Sequence, residues 1–260
     1  MDKNKLYGLI DEYWADYVKK RSDTKVSDYL IENSIPIIWF GDIKKYFESK
    51  IKILTVAINP SKDEFQMGDL LKRFPAAKTL DVMKDKLSEA DKDILIKSYN
   101  EYFLHDPYDN WFKNSYEKVL NILPDKYISS YGYDDCENRA IHIDCKTALA
   151  TNPVWDDEGL PTEVKLLIER EDLFEGLLDF LNPNVILFSK KELKTKLTDG
   201  GEKRIEQKLK TKGNKTMERI SYIVKKRLVI YGTNFNGTPF GGIPFEEQRG
   251  IIEEMFADYK

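Results

Sequence analysis

Four short apolar runs, rich in β-branched residues, punctuate the chain. They cover residues 51–58 (IKILTVAI), 140–144 (AIHID), 184–189 (NVILFS) and 227–232 (RLVIYG). Each ends in polar, Gly or Pro positions, and each is nearly continuous rather than alternating, as in strands covered on both faces. Between them the spacing turns helical. Leu166, Leu167, Leu173, Leu177, Leu178 and Leu181 lead into the third run, and Ile220, Ile223 and Val224 into the fourth. Strands alternating with helices predict an α/β fold, with a central four-stranded parallel sheet flanked by helices. Ahead of it, Leu6, Ile10, Tyr13, Trp14, Tyr17 and Val18 mark a helix within an N-terminal helical extension over residues 1–35. Behind it, Ile251, Ile252, Met255 and Phe256 mark a closing helix that begins near Pro244. Residues 198–215 (TDGGEKRIEQKLKTKGNK) read as a mobile insertion. No repeat or Pro/Gly/Ser-rich linker divides the chain, so one domain over residues 1–260 is expected.

Composition narrows the classes. At 41% hydrophobic and 12% aromatic residues, the chain has ample material for a core. No apolar run approaches the ~20 residues that span a bilayer, and the charged N-terminus does not read as a signal peptide. Cys136 and Cys145 are the two cysteines, too few for a four-thiolate cluster and suited to a reducing cytoplasm with both thiols free. The net charge is −4, yet residues 190–227 carry 14 Lys and Arg against five acids. A basic face on an acidic body suits a phosphate-tracking surface, and it equally describes a solvated face. No P-loop, GxSxG, HExxH or dinucleotide fingerprint occurs.

In open parallel sheets ligands gather outside the carboxyl ends of the strands. The candidate residues are therefore those just past each run. The first run ends in Asn59-Pro60-Ser61-Lys62-Asp63-Glu64-Phe65, the second in Asp144-Cys145-Lys146-Thr147, the third in Lys190-Lys191, and the fourth in Asn234-Phe235-Asn236-Gly237-Thr238-Pro239-Phe240. Asn-Pro and Gly-rich stretches are also ordinary turn chemistry.

A strand running into Asn59-Pro60 resembles the first motif of the uracil-DNA glycosylase superfamily, closest to its mismatch-specific and single-strand-selective branches. Asn236-Gly237-Thr238-Pro239-Phe240 resembles that superfamily's second motif, with Gly237 in place of a Pro and Phe240 in place of an aliphatic wedge. His142-Ile143-Asp144 resembles the strand whose terminal Asn reads the uracil edge. The resemblance covers roughly residues 36–256. It implies a monofunctional, metal-free and cofactor-free DNA glycosylase, cytoplasmic and monomeric, with DNA as its partner and no membrane association.

The chemistry that the resemblance implies fits the residue types. A base must leave the stack to be attacked, at a cost of a few kcal/mol, and Phe240 would fill the gap it leaves. Asn236 would donate to the departing base, an interaction of a kind that contributes about 3–4 kcal/mol. Asn59 would hold the attacking water, and Asp63 or Glu64 would supply the carboxylate that an amide cannot replace. Phe65 would stack on the base, or sits in the core. Pro60, Ser61, Thr238, Lys190 and Lys191 would contact DNA. Asp144 either caps a turn or reads the base. Ionised, it only accepts hydrogen bonds, so it favours an exocyclic amine over uracil O4. A modified cytosine is the expected substrate, and defence against phage a fitting setting. Uracil or mismatch repair is the alternative. A non-catalytic nucleic-acid sensor is the rival from another class, credible because position 59 lacks a carboxylate. His142, inside a strand, reads as structural.

Overall fold

The structure is a computed structural model that describes residues 1–66, 68–108, 112–121, 128–129, 138–211, 214–233 and 244–259. The elements follow in the order α1 (Lys3–Arg21), α2 (Ile43–Glu48), β1 (Ile53–Ala57), α3 (Glu89–Asn100), α4 (Glu117–Leu120), β2 (Ile128–Ser129), β3 (Asn138–Asp144), α5 (Thr162–Ile168), α6 (Glu171–Leu181), β4 (Val185–Phe188), α7 (Lys194–Thr198), β5 (Glu202–Lys210), β6 (Thr216–Val224), β7 (Arg227–Gly232) and α8 (Phe245–Tyr259).

The protein is α/β, built on a mixed sheet in the order β2-β3-β1-β4-β7-β6-β5. The four strands expected from the apolar runs are β3, β1, β4 and β7, and they are contiguous in that order. β1 pairs in parallel with β4, and β4 with β7. Read by appearance in the chain, the order is second, first, third, fourth. The chain therefore switches direction across the sheet at β1, the kind of point where α/β sheets place ligands.

Two expectations need correction. Ile220, Ile223 and Val224 are not helical but lie in β6, which pairs antiparallel with both β7 and β5. Ser221 and Ile220 are as buried as their neighbours. A strand covered on both faces carries apolar residues at any spacing, including i, i+3 and i+4, so the period is ambiguous there. The segment read as an insertion carries β5, the outer strand of the hairpin. Leu209 on β5 faces Met217 on β6, and both pack against Ile251 of α8. The sheet is accordingly mixed rather than purely parallel.

The chain divides into two compact units. The first comprises residues 1–44, 58–107 and 143–182. Its helix α1 starts on Asp2, whose carboxylate accepts from the Asn4 and Lys5 amides, and ends on Lys19, Lys20 and Arg21, which complement the helix dipole. Leu6, Ile10, Tyr13, Trp14 and Tyr17 are all buried, so α1 contributes to the core of this unit. Helix α6 lies against it, close enough that a Cβ at Gly176 would sit 3.5 Å from Leu9. Helix α3 is opened by a reciprocal capping box between Ser88 and Asp91.

The second unit comprises residues 45–57, 108–142 and 183–260. Val185, Ile186, Leu187 and Phe188 are all buried, as are Leu228 to Tyr231. His142 is fully buried here. Its Nδ1 lies 2.8 Å from Thr55 Oγ1, and its ring meets Phe112 edge-on. That is the structural role expected for it.

Candidate functional site

Asn59, Pro60, Ser61, Asp63, Glu64, Phe65 and Asp144 fall in the first unit. Chain direction changes directly after β1. The Lys146 amide donates to Ile58 O at 2.9 Å, which ties the exit of β1 to the segment following β3. Three residues after Ile58, Ser61 pairs in parallel with Thr151, which on its other side pairs antiparallel with Leu30. The Asn59 loop is thereby stitched along the strip 148–152, whose Ala148 and Ala150 carbonyls accept from Ile37 and Ile31.

Asn59 is held by its amide nitrogen. Nδ2 donates to Pro60 O at 3.0 Å, Thr151 Oγ1 at 3.1 Å and Leu149 O at 3.4 Å. Carbonyl oxygens only accept, so two of these three partners fix which end of the amide is which. In this orientation no hydrogen bond among the described residues engages Oδ1. Asn59 is half-buried and Pro60 buried beneath it.

Ser61 caps the short turn Lys62–Glu64, accepting from the Asp63 amide at 3.2 Å. That turn points Glu64 inward. The residue is 1% exposed, and its Oε2 accepts from Tyr102 Oη at 2.6 Å and lies 4.0 Å from Arg73 Nε. Arg73 also donates to the carbonyls of Asp63 and Asp106. Phe65 is likewise buried, with its ring 5.8 Å from Phe74, which in turn lies 5.5 Å from Tyr102. Glu64 and Phe65 are thus embedded in an aromatic cluster that anchors the loop.

Asp144 closes β3 and is 7% exposed. It lines a cavity of about 10 Å³ together with Tyr13, Asp16, Cys145, Thr147 and Arg170. Such a volume takes one water and not a base. Burial raises the Tyr13 phenol and the Asp16 carboxyl above their ordinary pKa values. Arg170 pairs with Asp16 at 2.5 Å and with Asp172 at 2.6 Å. Its hydrogen bond holds Asp172 down to about 2.

Lys190 and Lys191 belong to the second unit, at the start of the turn Lys191–Leu193. Lys190 is half-buried and Lys191 exposed. Asn236, Thr238 and Phe240 lie outside the described residues. The structure therefore brings Asn59, Pro60 and Ser61 together with Thr151, and sets Glu64 and Phe65 in the cluster below. Thr151, Tyr102 and Arg73 were missed as site residues. No local motif marks them: Thr151 meets Asn59 across 92 positions of sequence and Tyr102 meets Glu64 across 38, and Arg73 reaches Asp63 O and Glu64 only through the fold of the intervening turn. Among the described residues no group of His, Cys, Asp and Glu is arranged to hold a metal ion, and no helix is long and apolar enough to cross a membrane. The chain matches no protein-family model, no curated protein and no solved structure.

Proposed function

We propose that the protein is a DNA glycosylase that hydrolyses the N-glycosidic bond of an extruded pyrimidine. The observation that carries this reading is the locked Asn59 amide at the exit of β1, with its nitrogen committed to Pro60, Leu149 and Thr151. An amide held this way presents an oxygen that accepts from a water and aims that water without being able to rotate. In the proposed reaction the bond between sugar C1′ and the base nitrogen breaks, and its electron pair leaves with the base. The water held by Asn59 then adds its oxygen to C1′ of the oxocarbenium-like sugar and releases its proton to solvent water, from which the departed base anion is protonated. Because Asn59 cannot take that proton, most of the acceleration must come from stabilising the departing base, the task assigned to Asn236.

Glu64 serves this reading as the loop's anchor: its bond from Tyr102 and its position beside Arg73 hold the turn that carries Asn59. The substrate part rests on Asp144, an acceptor suited to an exocyclic amine such as that of a modified cytosine. The cavity beside it is water-sized and does not itself admit a base. The burial of Glu64 specifically favours the second reading, a nucleic-acid sensor without turnover, since it withdraws one of the two loop carboxylates and leaves only the exposed Asp63 to take a proton.

Single-turnover base release decides between them, using oligonucleotides that carry uracil, cytosine or 5-substituted cytosines. The glycosylase reading expects release that Asn59→Ala reduces at least tenfold, about 1.4 kcal/mol in barrier. It also expects a preference for the cytosine-type base that Asp144→Asn shifts towards uracil. Binding without release of any base would leave the sensor reading, and unchanged rates in Asn59→Ala would remove Asn59 from the site.

A further inference from the structure

The hairpin of β5 and β6 extends past the parallel strands it borders. Arg219 pairs with Gly232, the last residue of β7, so residues 216–218 of β6 and their partners 208–210 on β5 lie beyond that strand's carboxyl end. β7 runs parallel to β4, and β4 to β1, so the projection rises from the carboxyl edge shared by all three. At ~3.4 Å per residue its paired portion alone extends roughly 10 Å past Gly232.

The base of this arm is fixed. Thr233 N donates to Glu218 O at 3.0 Å, and Glu218 N to Thr233 Oγ1 at 3.3 Å. One face is braced by the Leu209–Met217 pair against Ile251. The opposite face of β5 presents Lys208 and Lys210. Lys208 is 63% exposed at its side chain and lies 3.7 Å from Glu206, Lys210 donates to Thr216 Oγ1 at 2.9 Å, and Lys210 and Lys215 are exposed as well. From residue 207 to 217 the sequence (QKLKTKGNKTM) holds four lysines and no acid, in a chain of net charge −4. Lysines on an edge strand discourage sheet-to-sheet aggregation, which accounts for Lys208 and Lys210. It does not account for Lys215, which follows β5 rather than lying on it, nor for the absence of any acid across that stretch of sequence.

We infer that this arm grips the phosphate backbone of a nucleic acid laid along the carboxyl edge of the sheet. The inference rests on the nucleic-acid reading above and adds to it where the backbone is held. A β-ribbon carrying lysines meets phosphates without reading bases, so its contribution is independent of sequence and strongly dependent on salt.

The test uses the full-length protein and a fluorescent duplex, with a single strand of the same sequence in parallel. Affinity is measured by anisotropy across a salt series for wild type, for Lys208→Gln/Lys210→Gln/Lys215→Gln, and for the matching triple Lys→Arg variant. The expected result is a salt slope smaller by roughly 2.7 in the Gln variant, about 0.9 for each phosphate no longer neutralised. The Arg variant should restore it, and both variants should keep the wild-type melting temperature. A Gln variant with the wild-type slope would overturn the inference while leaving the glycosylase reading intact. Salt-dependent binding that needs the lysines, without release of any base, would support the arm and sink the glycosylase. Failure of wild type to bind either oligonucleotide would overturn the inference, as would binding only to phosphatidylserine vesicles.

Discussion

Replacing Asn59 by Asp tests the geometry of the loop directly, because the two side chains differ only in exchanging an NH₂ for an oxygen. In the wild type that NH₂ faces Pro60 O at 3.0 Å, Leu149 O at 3.4 Å and Thr151 Oγ1 at 3.1 Å. The Thr151 hydroxyl can turn and donate to the new carboxylate. The two carbonyls cannot, so each is left facing an oxygen. A buried acceptor stripped of its donor costs about 1–3 kcal/mol. With two such acceptors at a half-buried site, we expect Asn59→Asp to lose about 2–3 kcal/mol at pH 7. Protonating the new carboxyl restores one donor, which raises its folded pKa above the unfolded value of about 3.9. A raised folded pKa contributes stability that is present below the unfolded value and lost as pH climbs through the folded one. The deficit against wild type should therefore narrow between pH 7 and pH 4. Asn59→Ala removes the same donor without adding a charge, so its deficit should not vary with pH. Urea unfolding of the three proteins at both pH values measures this. Asn59→Asp within about 0.5 kcal/mol of wild type at pH 7, or a deficit that ignores pH, would show that the amide is not held as described.

Other expectations follow from neighbouring side chains. Tyr102→Phe removes the donor to the buried Glu64 carboxylate; a hydrogen bond to a charged group is worth about 1.5–3 kcal/mol, so a fall in melting temperature of roughly 3–12 °C is expected, and no fall would mean that Glu64 is not anchored there. Arg219 is fully buried, held down to about 10 by desolvation, and donates to Gln248 Oε1 at 2.9 Å and Thr233 O at 2.8 Å. Arg219→Met leaves these acceptors unmet and should cost about 3 kcal/mol in chemical denaturation, whereas a neutral result would mean that the buried charge gains nothing from its partners. Asp172 has its pKa depressed to about 2, first by the hydrogen bond from Arg170, so its contribution exists above the unfolded value and fades as pH falls towards 2. The side chain is 67% exposed, so Asp172→Asn should cost under about 1 kcal/mol at neutral pH and nothing near pH 2; an effect that grows on acidification would contradict the assignment.

The sequence by itself determined four strands of the mixed sheet. The runs at 51–58, 140–144, 184–189 and 227–232 reappear as β1, β3, β4 and β7, because strands buried on both faces must be apolar at nearly every position and little else in a charged chain can be. Helices α1, α6 and α8 were legible for the complementary reason, since each buries one face and exposes another. The tertiary structure decided what local pattern left open. Ile220, Ile223 and Val224 fit a helix and a strand equally well until Tyr222 and Ser221 find partners on β7 and on β5, and only that pairing turns residues 202–210 into an edge strand. The candidate site divides the same way. Asn59, Pro60 and Ser61 were visible because a strand ending in Asn-Pro must turn at once. What holds them is Thr151, 92 residues away. Glu64 gave no sign of its burial, because a three-residue turn has no periodicity from which an inward side could be read, whereas Phe65 read from the sequence either as a base stacker or as a core residue. Long-range pairings leave no mark on local sequence, and it is these that orient the Asn59 amide.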